Sequence, residues 1–160
     1  MESFLTLLLL LICVNAIEAD CPDNWIKHSG QCYLFVDHTM LDWNDALNFC
    51  KNFESELAEV QTSIEENFLA QHVRQLGKGN GFWLGGSDII LEGEWMWMTS
   101  KTLLSMGYTA WMPGEPNNEG NNEHCLEIKW NSFLWNDTPC DQQRHFICER
   151  ESRPGGDVVG

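Results

Sequence analysis

The chain has 160 residues, enough for one domain, and 24 acidic against 9 basic side chains give it a formal charge of −15. That balance excludes charge-driven binding to the phosphate backbones of nucleic acids. Apolar residues make up 43% and tryptophans number eight, which suits a packed core and excludes a disordered chain.

The first stretch reads as a targeting signal rather than as part of the fold. Phe4 to Val14 is an apolar run with leucine at every position from 7 to 11. It has the length of a signal-peptide core and is too short for a bilayer span. Small residues at Ala16 and Ala19 suit cleavage after either, so residues 1–19 are expected to be a signal peptide. No second apolar run of membrane length follows. The mature protein is therefore expected to be secreted, extracellular and without membrane insertion. Cys13 leaves with the signal, and Cys21, Cys32, Cys50, Cys125, Cys140 and Cys148 remain. An even set of cysteines in an exported chain reads as disulfides, with the pairing open. No Cys-x-x-Cys pair suggests zinc.

The domain is expected to occupy residues 20–150. Cys21 and Cys32 flank a Ser29-Gly30 turn and predict a hairpin stapled at its base. Trp43, Ala46, Leu47 and Cys50 share one helical face and predict a helix over 39–53. A second helix is predicted over 63–76, opened by Thr62 or Ser63 with a glutamate three residues on and stopped by Gly77. Ile64, Phe68, Val73 and Leu76 would be its core stripe. Strands are expected at 81–88, around Trp95 and Trp97, at 124–130, at 133–135 and at 144–148, and residues 87–123 are largely irregular. A long irregular stretch in a small domain is usually functional, because ordering it costs about 1–2 kcal/mol per residue in backbone entropy. The Gly-rich end, 151–160, is expected to be a disordered tail.

The region from Trp111 to Asp137 carries the chemistry. Its centre, 118–123, holds no apolar residue and cannot order itself by burial. Glu115, Asn117, Glu123, Asn136 and Asp137 offer carboxylate and amide oxygen, a hard donor set that suits Ca²⁺. Asn136-Asp137-Thr138 is also an Asn-x-Thr glycosylation sequon, which competes for a proposed ligand. Trp83, Trp95 and Trp111 read as core or as sugar platforms, with core favoured. The five histidines show no metal-binding spacing and read as structural or exposed.

Cys21-Pro22 with Trp25, the run WLGGSD at 83–88, Glu115-Pro116-Asn117, Trp135-Asn136-Asp137 and the order of the six cysteines resemble a C-type lectin domain, over about residues 21–149. The runs EGEWMWM at 92–98 and GEPNNEGNNEHCLEI at 114–128 most resemble secreted invertebrate forms, including the perlucin-like proteins of molluscs. The resemblance implies an α+β fold with two helices, small antiparallel sheets and a long irregular calcium-binding loop region. It implies the disulfides Cys21–Cys32, Cys50–Cys148 and Cys125–Cys140, and a cis bond before Pro116. It makes Glu115, Asn117, Glu123, Asn136 and Asp137 both calcium ligands and carbohydrate-binding residues. An auxiliary metal site matches at Asp88, Glu92 and Asn118, with Glu123 able to bridge the two ions and His124 standing where an acidic residue is frequent. The Glu-Pro-Asn order, with no aromatic in 118–122, implies mannose- or N-acetylglucosamine-type sugars.

The expected function is that of a secreted, calcium-dependent lectin that binds mannose-type glycans on microbial surfaces in innate immunity, by agglutination or opsonisation. A weak single site would gain avidity from a homo-oligomer. The alternative is a biomineral matrix protein that binds calcium carbonate and takes sugar secondarily. A non-sugar protein-binding domain of the same fold is a third reading. No catalytic constellation appears, and an enzyme is not expected.

Overall fold

The structure is a computed structural model that describes residues 19–154. The expected signal peptide, save Ala19, and the tail from 155 lie outside the described residues.

Strand β1 (Ala19–Asp20) leads through a turn into β2 (Ile26–His28) and the long β3 (Gln31–Leu41), which pair as the expected hairpin. The Cys21–Cys32 disulfide closes its base. Helix α1 (Trp43–Lys51) follows at once, and the short β4 (Glu56–Leu57) leads to helix α2 (Ser63–Leu76). Strand β5 (Phe82–Ser87) is buried throughout, and β6 (Met96–Trp97) pairs back onto it. After the long loop come β7 (Cys125–Ile128), β8 (Trp135–Thr138), β9 (Arg144–Glu151) and β10 (Arg153–Pro154). Among the described residues the main sheet runs β2-β3-β9-β5-β7-β8, with β4 on β9 and β6 on β5, while β1 pairs β10. Among the described strands every pairing is antiparallel except β5 with β9, and the isolated bridge Trp111–Trp135 is also parallel.

Alternation along the strands builds two cores. Phe82 and Leu84 of β5, with Ile147 of β9, pack under α2 with Leu69 and Val73. Trp83 and Phe146 point to the other face and pack with Trp43, Ala46 and Cys50 of α1. The pleat sends neighbouring residues to opposite faces, so WLG in one strand serves both cores. Gly85 is required there: a Cβ on it would lie 2.7 Å from the Leu57 carbonyl oxygen, where β4 crosses. Buried indoles find acceptors, Trp43 Nε1 donating to the Leu84 carbonyl at 2.8 Å and Trp83 Nε1 to that of Leu41 at 2.9 Å.

Four expectations need correction. Thr39 to Leu41 is strand, not the first turn of α1. Past a register shift Leu41 pairs with Arg144, and Asp42 caps the helix, its carboxylate accepting from Asp45 N at 2.8 Å. Ile64 is 66% exposed, and the buried stripe of α2 is Glu66, Leu69 and Val73, with Phe68 and Leu76 partly covered. The strand expected at 133–135 begins instead at Trp135 and carries Asn136 and Asp137 within it. The last strand runs on to Glu151, and residues 153–154 pair with 19–20, inside the segment expected to be a tail. The α2 start is as read: Thr62 Oγ1 accepts from Glu65 N at 3.2 Å, while the Glu65 carboxylate accepts from Gln61 N at 2.7 Å.

All three expected disulfides are formed. Cys50–Cys148 ties α1 to β9 across 98 residues, and Cys125–Cys140 joins the start of β7 to the segment after β8 across 15.

Candidate functional site

Strand β8 places half of the site. Its Asn136 and Asp137 pair with Glu127 and Leu126 of β7, and Cys125–Cys140 clamps the far end of that ladder. The near end is held by Trp135, whose N–H donates to the Ala110 carbonyl at 2.8 Å and whose carbonyl accepts from Met112 N at 2.9 Å. The chain then turns, Glu115 N donating to Met112 O at 2.9 Å, and reaches the Glu115–Pro116 peptide, which is cis. Residues 110–115 are thus fastened to the strand that carries Asn136 and Asp137.

Asp137 organises the second half. Its Oδ1 accepts from Asn117 N at 3.2 Å and its Oδ2 from Asn118 N at 2.7 Å. Asn118 has a positive φ of 46°, and its Oδ1 accepts from Glu123 N at 3.0 Å. Glu123 in turn accepts from Glu119 N at 2.9 Å through Oε2. The polar loop is held almost entirely by side-chain oxygens on backbone N–H groups, in place of apolar contacts.

Five expected ligands therefore meet at one end of the sheet, though not yet as a closed cage. The Glu115 carboxyl lies against that of Asp137. Burial, then this contact and the charges of Asp137 and Glu123, raise the proton affinity of Glu115 above the ordinary carboxylate range. Burial raises that of Glu123 as well; the Glu119 N–H opposes the shift, and the charge of Asp137 adds to it. Glu123 and Asn136 both line a small cavity of about 170 Å³ with Lys129, Thr138 and Arg144. One oxygen, Glu115 Oε2, is buried with no hydrogen-bond partner. This carboxylate oxygen is unsatisfied beside two further carboxylates, and the charge of Lys129 opposes the rise at both glutamates. The oxygen-only donor set fits the calcium that the resemblance implies.

Asn136 is 6% exposed, and its Nδ2 donates to Glu127 Oε1 at 3.3 Å and to the Asp137 carbonyl at 2.5 Å. Glu127 was not among the expected site residues. It is buried, and its other oxygen accepts from Arg144 Nε at 2.7 Å, so a guanidinium–carboxylate pair fixes the Asn136 amide. The signal in sequence is one glutamate between the core residues Leu126 and Ile128. Gly81 makes room for it: a Cβ there would lie 2.0 Å from Glu127 Oε2.

Of the auxiliary set, Asp88 and Glu92 do converge, with His124 as their third member. Among the described residues, this trio alone of His, Cys, Asp and Glu brings its ligand atoms all within 4.8 Å of one another. Asn118 joins through its amide nitrogen, Nδ2 donating to Glu92 Oε1 at 2.6 Å, and not through oxygen.

Trp83, Trp95 and Trp111 pack into or against the core. Trp83 and Trp95 are buried, and the half-buried Trp111 packs edge-on against Trp95 and Trp135 at 4.9 and 5.8 Å between ring centres. Beneath Asn136 and Asp137, Trp135 Nε1 donates to the buried Glu66 of α2 at 2.7 Å. Burial pushes the Glu66 carboxyl up to about 7 despite that bond.

The sheet with one parallel pair, two helices, three disulfides and a polar loop against β8 define a C-type lectin-like domain. The Lectin C-type domain family profile matches residues 39–150, and the chain belongs to this family. It is 37% identical over 136 residues to Perlucin of Haliotis laevigata, covering 84% of this chain and 85% of that one. It is 35% identical over 153 residues to a C-type lectin mannose-binding isoform of Notechis scutatus scutatus, covering 90% and 94%. Among solved structures, the mouse scavenger receptor C-type lectin carbohydrate-recognition domain superposes with a TM-score of 0.76 at 28% identity, over 84% of this chain and 100% of that chain.

Proposed function

We propose that the protein is a secreted calcium-dependent lectin. In this reading Glu115, Asn117, Glu123, Asn136 and Asp137 hold one Ca²⁺, and the same residues bind mannose- or N-acetylglucosamine-type sugars. The observation that carries the reading is the unpartnered buried oxygen of Glu115 beside Asp137 and Glu123. Three carboxylates slightly overbalance the ion, and two amides add oxygen without further repulsion. Calcium takes about 6–8 oxygens, so the protein set leaves room for two vicinal hydroxyls. Each hydroxyl would donate to a carboxylate and accept from an amide NH₂, which accounts for the mixing of glutamate and asparagine.

The chain's own residues prepare this exchange. Arg144 and Glu127 hold Asn136 Nδ2, which directs its amide oxygen away from Glu127. The same contact argues that Asn136 stays unglycosylated, because Nδ2 is the atom a glycan would take. Asp137 pins Asn117 and Asn118 by their backbone N–H groups and so sets the Glu-Pro-Asn segment against β8. A relative named as a mannose-binding C-type lectin isoform supports this reading of the Glu-Pro-Asn order. Recognition of microbial surfaces, with avidity from a homo-oligomer, is the physiological role that follows.

The charge of −15 favours a second reading, a matrix protein for calcium mineral. A glycan array with calcium and with EDTA separates the two. The lectin reading expects mannose-type signals that EDTA abolishes; signals that survive EDTA, or none at all, refute it.

A further inference from the structure

We propose that Asp88, Glu92 and His124 bind a transition-metal ion of the zinc class, at the place where the family resemblance puts an auxiliary calcium. His124 Nδ1 lies 3.0 Å from Asp88 Oδ1 and 3.3 Å from Glu92 Oε2. A tetrahedral shell with metal–ligand bonds of about 2.0–2.1 Å sets neighbouring ligand atoms about 3.3–3.4 Å apart, close to these two separations, and all three ligand atoms lie within 4.8 Å of one another.

Donor chemistry decides the ion. Calcium wants about 6–8 hard oxygens, and an imidazole nitrogen is a poor substitute for one. One imidazole with two carboxylates is a donor set of the zinc class, leaving a fourth position for water. Asn118 does not restore the oxygen count. Its Oδ1 is taken by Glu123 N, and its Nδ2 faces Glu92.

Neighbouring groups hold each of the three residues in place, His124 through its backbone. Asp88 is 2% exposed, and its second oxygen accepts from Gly93 N at 2.8 Å. The His124 carbonyl accepts from Ser87 Oγ at 2.6 Å and from Asp88 N at 3.3 Å, which locks the start of β7 to the end of β5. Glu92, on the exposed turn, is steadied by Asn118 Nδ2. The three ligands thus come from the end of β5, the turn after it and the entry to β7. An ion here would fasten residues 87–92 to the segment that ends in Glu123.

Cobalt(II) reads this site directly and needs no sugar. The oxidised full-length secreted protein, saturated with calcium to fill the oxygen site, is titrated with Co²⁺ and followed by visible absorption. We expect one Co²⁺ per chain, with the stronger d–d bands of a low-coordinate nitrogen-containing site, displaced by Zn²⁺. His124→Ala abolishes the bands, and Glu92→Gln, on a side chain exposed enough to leave folding intact, weakens Co²⁺ binding at least about tenfold. Absence of the bands in the wild type would reduce the trio to an ion pair and overturn the proposal. Bands of unchanged affinity in both variants would overturn it equally.

Discussion

The body of the sheet and the loop that crowns it are built on opposite principles. In the body, Phe82, Leu84, Leu126, Ile128 and Phe146 are fully buried, and two disulfides, Cys21–Cys32 and Cys50–Cys148, staple hairpin and helix to it. In the loop, residues 115–123 bury no hydrophobic side chain fully, and four of them or their neighbours (Gly114, Asn118, Gly120, Asn121) have positive φ. Order there comes from carboxylates and amides accepting backbone N–H groups around Asp137. The body is stable through area removed from water. The loop is ordered by hydrogen bonds to clustered carboxylates and amides.

The comparison breaks most visibly where the body loses its longest closure. Cys50→Ala with Cys148→Ala should cost about 4–5 kcal/mol, because this bond closes the 98-residue loop. Denaturant unfolding checks it, and loss of only a few tenths would show that the sheet closes without the disulfide. Next in size is the cation. If the loop waits for an ion, calcium at a hundredfold excess over its dissociation constant stabilises the protein by about 2.7 kcal/mol. In EDTA the amides of 112–123 and 136–138 should exchange by local opening, well before those at the centres of β3 and β9, and calcium should slow them. Equal protection of the two regions in EDTA would erase the distinction between them.

A pH effect sharpens it from the body's side. Burial, with the neighbouring charge of Glu65, pushes the Glu149 carboxyl up to about 8, and burial pushes Glu66 up to about 7. Both keep protons in the folded state that the unfolded chain gives up near the ordinary value of 4.5. The folded state therefore binds more protons between 4.5 and about 8, and stability falls as pH rises through that window. Each group contributes a slope of about 1.4 kcal/mol per pH unit at most. Melting temperatures in EDTA from pH 5 to 8 should decline, and less steeply in Glu149→Gln. A rising or flat profile in the wild type would contradict the assignment.

The two regions also differed in how much of them the sequence disclosed. The WLGG strand and the Thr62 cap were legible because each has a physical meaning at short range, whereas the cysteine pairing, open from the residues alone, came through the family resemblance. Thr39 to Leu41 was misread since its residues suit helix as well as strand, and only β9 across the sheet decides. Ile64 fits the α2 stripe by spacing yet lies outside the patch the sheet covers. In the loop, oxygen chemistry alone named Glu115, Asn117, Glu123, Asn136 and Asp137. Glu127 and Arg144, which fix Asn136, lie 17 residues apart and declare nothing until β7 and β9 are placed. His124 has no partner at metal spacing along the chain, because Asp88 reaches it from 36 residues away.

The central claim is that Asp137 gathers an oxygen cage for calcium. Calorimetric titration of Ca²⁺ into the wild type and Asp137→Asn, both at pH 7.5, tests it most directly. The account predicts calcium binding in the wild type and at least about a hundredfold weaker binding in the variant, roughly 2.7 kcal/mol. Equal calcium affinity in the two proteins would contradict it.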